Sequence, residues 1–206
     1  MQSIFKLTLD KALLAQEKGA NRVEVCSRLD LDGLTPNDNF VKNCINRLSI
    51  PIKVMVRPRA GNFVYSENEL LNIQQKIMYY KSIGVGEVVF GILNKDNEID
   101  VEEVNKLAKI AYPMNVTFHK AIDKTKDLCS SLKKIISISE VGSVLTSGGK
   151  SNALNGYRTI KRMIDIAQDQ ITIIAAGSIT DQNISELHNM IGANEYHGKR
   201  IVGNLN

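Results

Sequence analysis

Tryptophan is absent from this 206-residue chain, aromatic residues make up 5% of it, and cysteine and histidine occur three times each. Each shortage excludes something. The odd set Cys26, Cys44 and Cys129 is widely spaced and argues against a disulfide framework. That usage fits a reducing, cytoplasmic setting. No apolar run reaches the ~20 residues of a membrane span, and no basic segment followed by an apolar core opens the chain. Neither an anchor nor a signal peptide is expected. The net charge is +4, without a basic run, zinc-finger spacing or many aromatics to stack on bases, so nucleic acid is not an expected partner.

What remains is 43% hydrophobic, enough for one core, and residues 1–206 are expected to form a single domain. Short β-branched runs predict strands over Ile4–Thr8, Arg22–Cys26, Ile52–Val56, Glu87–Gly91, Asn115–His119, Ser143–Thr146, Thr172–Ala176 and Glu195–His197. Helical patterns lie between them, at Lys11–Lys18, Asn68–Ser82, Val101–Ala111, Leu128–Ser139, Leu154–Ala167 and Asp181–Met190. Asp10, Asp100 and Thr180 suit helix N-caps, and Gly19 and Gly84 suit the positions after helix ends. Successive strands end about thirty residues apart, the length of one strand–helix unit, which predicts a parallel sheet with helical crossovers. Eight such units predict a small α/β fold, a (β/α)8 TIM-type barrel. The first turn, Thr8-Leu9-Asp10-Lys11, has no glycine and speaks against a dinucleotide-binding sheet. Too few residues follow His197 for a substantial eighth helix, so that helix is expected to be short or missing. A flank left open in this way invites a second subunit, so a homodimer or higher homo-oligomer is expected.

Inward and outward positions alternate along a barrel strand, and active sites gather at the carboxyl ends. Arg22, Glu24 and Cys26 share one face against Val23 and Val25; Asn115, Thr117 and His119 oppose Val116 and Phe118; Glu195 and His197 oppose Tyr196. With the apolar set under the helices, Glu24, Cys26, Arg57, Thr117, His119, Glu195 and His197 should converge inside. Each has a plainer reading: Glu24 paired with Arg22 or Arg57, Cys26 a small buried residue, His119 bonded to a nearby carboxylate. Cys44 and Cys129 fall in helical segments, and His188 belongs to a surface helix.

An anion-binding theme runs through the loops. At Arg57-Pro58-Arg59 a strand stops abruptly, and proline holds two fork-shaped cations where it ends. Thr146-Ser147-Gly148-Gly149-Lys150 and Ala176-Gly177-Ser178 follow later strands, where glycine lets backbone amides approach a ligand. Together with Lys120, the residues Arg57, Arg59, Ser147, Gly148, Gly177 and Ser178 predict a small anionic ligand.

The ordered stretches Gly19-Ala20-Asn21-Arg22-Val23-Glu24-Val25-Cys26, Gly33-Leu34-Thr35-Pro36, Arg57 through Ser66, Val89-Phe90-Gly91, Thr117 through Asp123, Leu145 through Gly149 and Glu195 through Gly198 resemble the CutC family, known as copper-homeostasis proteins. The resemblance covers nearly the whole chain. It implies a TIM-type barrel, a cytoplasmic homo-oligomer, and a site of Glu24, Cys26, Arg57, Arg59, His119, Asp123 and His197. Departures from the family pattern are Ser3 and Phe5 where Glu and Cys are usual, Ala60-Gly61-Asn62 for Gly-Gly-Asp, Lys120 for Arg, and Gly198-Lys199-Arg200 for a small-residue turn.

Two functions follow. In the first, copper(I) is held by Cys26 with His119 and His197, with Met55 as a further soft donor. In the second, an enzyme acts on a phosphorylated or carboxylated metabolite. Glu24 or His119 would move a proton, Asp123 would orient His119, and the arginines would hold the anion. A third alternative, a binding or assembly module whose chemistry has decayed, draws on Ser3 and Phe5.

Overall fold

The computed structural model describes residues 8–205. Seven parallel strands alternate with helices: β1 Val23–Val25, β2 Ile52–Met55, β3 Glu87–Phe90, β4 Asn115–Phe118, β5 Val141–Thr146, β6 Thr172–Ala176 and β7 Glu195–His197. They pair in sequence order, each hydrogen-bonded to the next. The helices are α1 Leu9–Glu17, α2 Asp38–Arg47, α3 Glu67–Ser82, α4 Val101–Ala111, α5 Leu128–Ile136, α6 Ala153–Ala167 and α7 Ile184–Ile191. This is the expected TIM-type barrel. Most of the expected strand Ile4–Thr8 lies outside the described residues. After β7 the described chain runs through turns without an eighth helix.

Local chemistry accounts for the helices. In α4 the Asp100 carboxylate accepts from the Glu103 amide at 3.1 Å, and Val104, Leu107, Ala108 and Ala111 recur at helical spacing and are buried. Ser66 and Glu69 close a reciprocal capping box at the start of α3. Two expected caps move. Thr8, rather than Asp10, caps α1, because its hydroxyl lies three residues ahead of the Lys11 amide. Asn183, rather than Thr180, precedes α7. The segment before it is a turn in which the Asn183 side chain accepts from the Thr180 amide.

The expected alternation holds. Val23, Val25, Val54, Val88, Phe90, Val116, Phe118, Val144 and Ile173 are buried in the core that packs under the helices. Two small apolar clusters lie apart from that core, Cys26 with Met55 and Val89, and Leu145 with Ile174 and Ala176. A polar network lies near the amino ends of the strands. Lys53 Nζ is 2.7 Å from Glu87 Oε1, and Arg22 joins Glu87 at 3.2 Å and Glu195 at 3.1 Å. Thr117 Oγ1 donates to Glu87 at 2.6 Å, lies 2.6 Å from Ser143 Oγ, and accepts from Lys53 at 3.0 Å. These contacts fill the charge requirements that burial imposes on Lys53. No helix among the described residues is long and apolar enough to cross a membrane.

Candidate functional site at the carboxyl ends of the strands

The chain leaves β2 at Val56-Arg57, and the Arg57 guanidinium turns back into the protein. Its Nη1 donates to the carbonyls of Leu31 (2.9 Å) and Gly33 (3.2 Å), and Nη2 donates to Gly61 (3.3 Å). Arg57 is 5% exposed, forms no ion pair among the described residues, and its buried Nε has no partner. The guanidinium instead faces the Phe63 ring, with Cζ 4.9 Å from the centroid. Among the described residues two cations are buried: Lys53 has a carboxylate partner and Arg57 has none.

His119 follows β4 and meets the same Phe63 ring, at 4.9 Å between centroids. Its Nδ1 accepts from the Ala121 amide at 3.2 Å, which caps the 3-10 turn Lys120–Lys124. Its Nε2 is buried without a partner. Burial first, and the Arg57 charge second, hold the imidazole down to about 3, so it is neutral near pH 7. Tyr65, in the same loop as Phe63, has a buried hydroxyl that also lacks a partner. Burial raises its pKa, and the Arg57 charge is the largest effect opposing that rise.

Arg59 is engaged by its own loop. It donates from Nε to Glu69 at 2.5 Å and from Nη2 to the Val64 carbonyl at 2.8 Å, reaches Asn62 through Nη1, and stacks on Tyr65 with Cζ 5.1 Å from the ring centroid. Arg59 thus fixes the loop that carries Phe63 and Tyr65.

Asp123 does not touch His119. Its carboxylate accepts from Thr146 Oγ1 (2.5 Å), the Ser147 amide and hydroxyl (both 2.9 Å) and the Gly149 amide (2.9 Å). The Ser147 and Gly149 amides of this turn therefore point at the protein's own anion. Lys120 Nζ lies 3.9 Å from that carboxylate and is partly exposed. Gly148 is held by Thr146 Oγ1 at 2.9 Å. Gly177 packs on the same turn: a side chain there would stand 3.1 Å from Ser147 Cβ. The carbonyl of Ser178 accepts from Asn183 at 2.9 Å.

Cys26 is buried, and its thiol is pushed up to about 12, by burial and then by the Glu24 charge, with Lys199 acting the other way. Glu24 itself makes no hydrogen bond or ion pair among the described residues, whereas Arg22 takes Glu87 and Glu195. A side chain on Gly33 would lie 3.5 Å from both Cys26 Sγ and the Met55 methyl group, so the two sulfur residues adjoin. His197 ends β7, partly buried. Among the described residues, no three His, Cys, Asp or Glu side chains are placed to hold a metal ion together. Cys44 is buried in α2, Cys129 lies in the first turn of α5, and His188 sits on α7 with its Nδ1 3.0 Å from the Tyr196 hydroxyl.

Phe63, Tyr65 and Lys199 stand beside these residues and carry no sequence motif of their own. The signal for Phe63 and Tyr65 was position: they fall between an arginine-bearing strand end and a capping box. Lys199 donates to the Leu29 carbonyl at 2.7 Å, tying the end of β7 to the loop after β1.

Seven parallel strands alternating with helices define a TIM-type barrel, and a buried arginine, histidine and cysteine lie at the carboxyl ends of its strands. The chain belongs to the CutC family, whose model matches residues 4–202. It is 38% identical over 189 residues to a family protein CutC of Mesorhizobium japonicum, covering 92% of this chain and 73% of the relative. It is 37% identical over 190 residues to the human copper homeostasis protein cutC homolog, covering 92% and 69%. The crystal structure of a CutC protein from Streptococcus agalactiae superposes with a TM-score of 0.84 at 29% identity, over 88% of this chain and 89% of the other. An aldolase, QR15, shares the fold alone, with a TM-score of 0.68 at 14% identity.

Proposed function

We propose that this chain works in copper homeostasis, the role named for its human relative, and that it takes Cu(I) as cargo at Cys26. One observation supports this most: Cys26 and Met55 adjoin inside the barrel. A thiolate and a thioether are the soft donors that select Cu(I) over harder ions. His197, at the end of β7, is a further candidate ligand, whereas His119, whose Nδ1 accepts from the Ala121 amide, carries its proton on Nε2 and offers a metal no lone pair in that tautomer. The test is an anaerobic Cu(I) titration against a competing chelator. A tight stoichiometric site is expected, abolished in Cys26→Ser and weakened in Met55→Leu. Equal affinity in the parent and Cys26→Ser would remove Cys26 from the reading.

A second reading, binding or turnover of a small anionic metabolite, is favoured by Arg57, a buried cation without a carboxylate partner. In that reading Glu24 is the candidate for moving a proton, since Asp123 is engaged by the Ser147–Gly149 turn and burial makes His119 a poor proton acceptor. Arg57→Ala is expected to lose affinity for anionic ligands; full retention would sink the role.

A further inference from the structure

We infer that Arg57, Tyr65 and His119 form a three-donor site for the oxyanion group, carboxylate or phosphate, of a small ligand. The inference rests on the second reading above and goes further by naming the donors and what each presents.

The hydrogen-bond pattern fixes the chemistry. The Ala121 amide can only donate, so His119 Nδ1 must be the acceptor. A neutral imidazole then carries its proton on Nε2. That nitrogen, Arg57 Nε and the Tyr65 hydroxyl are the buried side-chain polar atoms without partners among the described residues. Two of the three must act as donors, and the phenol readily does so. Leaving one such group buried and unbonded is costly. Three on neighbouring side chains indicate an acceptor that is yet to arrive.

The residues are neighbours. Arg57 and His119 both contact the Phe63 ring, and the Arg57 charge acts on both His119 and Tyr65. Arg57 contacts backbone carbonyls and an aromatic face, which solvate a cation without neutralising it. A water molecule would satisfy donors but not the charge. A cationic ligand would be repelled. An oxyanion meets both requirements, with charge-assisted hydrogen bonds from a site that already holds its donors. In this arrangement His119 is a donor toward the ligand and not a general base. Tyr65 is half-buried, with its hydroxyl buried.

Tyr65→Phe is the informative variant, because Arg57 also braces three loop carbonyls and its removal risks the fold. Affinities for inorganic phosphate and acetate are measured by calorimetry on the parent and Tyr65→Phe, while the His119 Nε2 resonance is followed by NMR. The expected result is binding of at least one anion, roughly tenfold weaker in Tyr65→Phe, with the resonance shifting on addition. Without anion, Tyr65→Phe should unfold nearly as the parent does, since its hydroxyl has no partner in full hydrogen-bond geometry and only a minor interaction with Arg57 to lose. Preference for phosphate or acetate identifies the oxyanion. Binding that is equal in both proteins, with an unmoved His119 resonance, would overturn this site while leaving the small-anion reading standing. Binding of neither anion would overturn both.

Discussion

Gly91 and His119 are in van der Waals register. A Cβ added to Gly91 would stand 2.6 Å from His119 Nδ1 and 2.8 Å from Cε1. The strand end after β3 therefore leaves room for the imidazole that follows β4. Gly91→Ala must displace that ring or the strand, at a cost of about 1–3 kcal/mol. Urea denaturation reads the loss, and a changed His119 resonance locates it. An unperturbed His119 would contradict the packing described.

His119 also makes stability depend on pH. Its folded value lies near 3 against an ordinary 6.5, so between those values the unfolded chain binds a proton that the native protein refuses. This contribution is fully present above pH 6.5 and is lost as the pH falls toward 3. In His119→Gln the fall of stability between pH 6.5 and 4 should be shallower by close to one proton. Parallel slopes in urea titrations would show that His119 does not titrate this way.

Asp123 acts as a fixed counter-anion for the Ser147–Gly149 turn. Asp123→Asn keeps the shape but removes the charge and points an NH2 group toward donors, which should cost about 1–3 kcal/mol. Hydrogen exchange at the Ser147 and Gly149 amides should quicken more than exchange in the core strands. Unaltered protection would show that another group holds the turn.

Cys26 is held as a thiol, so Cu(I) anchored there must displace a proton. Titration in weak buffer near pH 7 should release about one proton per Cu(I), and Cys26→Ser should release none. Uptake without proton release would exclude thiolate ligation. For the same reason, iodoacetamide should alkylate Cys26 more slowly than Cys129, which is less buried.

In the interior network, Glu87→Gln would leave Lys53 buried beside no carboxylate, at a cost of roughly 3–5 kcal/mol. The double variant Lys53→Met/Glu87→Gln should recover much of that loss, as a double-mutant cycle would measure. Additive costs would show that the two side chains act independently.

The barrel was legible in the sequence because period-two alternation and the even spacing of strand ends are local signals. Val23 and Val25 declare their burial against Glu24 without help from distant residues. The partnerships were not legible. Asp123 lies four residues after His119 and invites pairing with it, yet the backbone turns at Lys120–Lys124 and delivers the carboxylate to Thr146 and Ser147. Arg59 looks as available as Arg57, and only folding of the 59–69 segment shows that Glu69 and Val64 occupy it. Met55 ends β2 and Cys26 directly follows the adjacent β1, and their neighbourhood depends on register, which no single segment encodes.

The network of Arg22, Lys53, Glu87, Thr117, Ser143 and Glu195 has a consequence for how such a barrel can diversify. Each member is a partner to at least one other, so a lone replacement strands a charge or a hydroxyl. Residues on five strands are bound into one unit of inheritance, which should drift as a set or hardly at all. At the opposite end Arg57, Arg59 and Asp123 brace separate loops, so ligand preferences can change there in smaller steps while the lower layer keeps the strands in step.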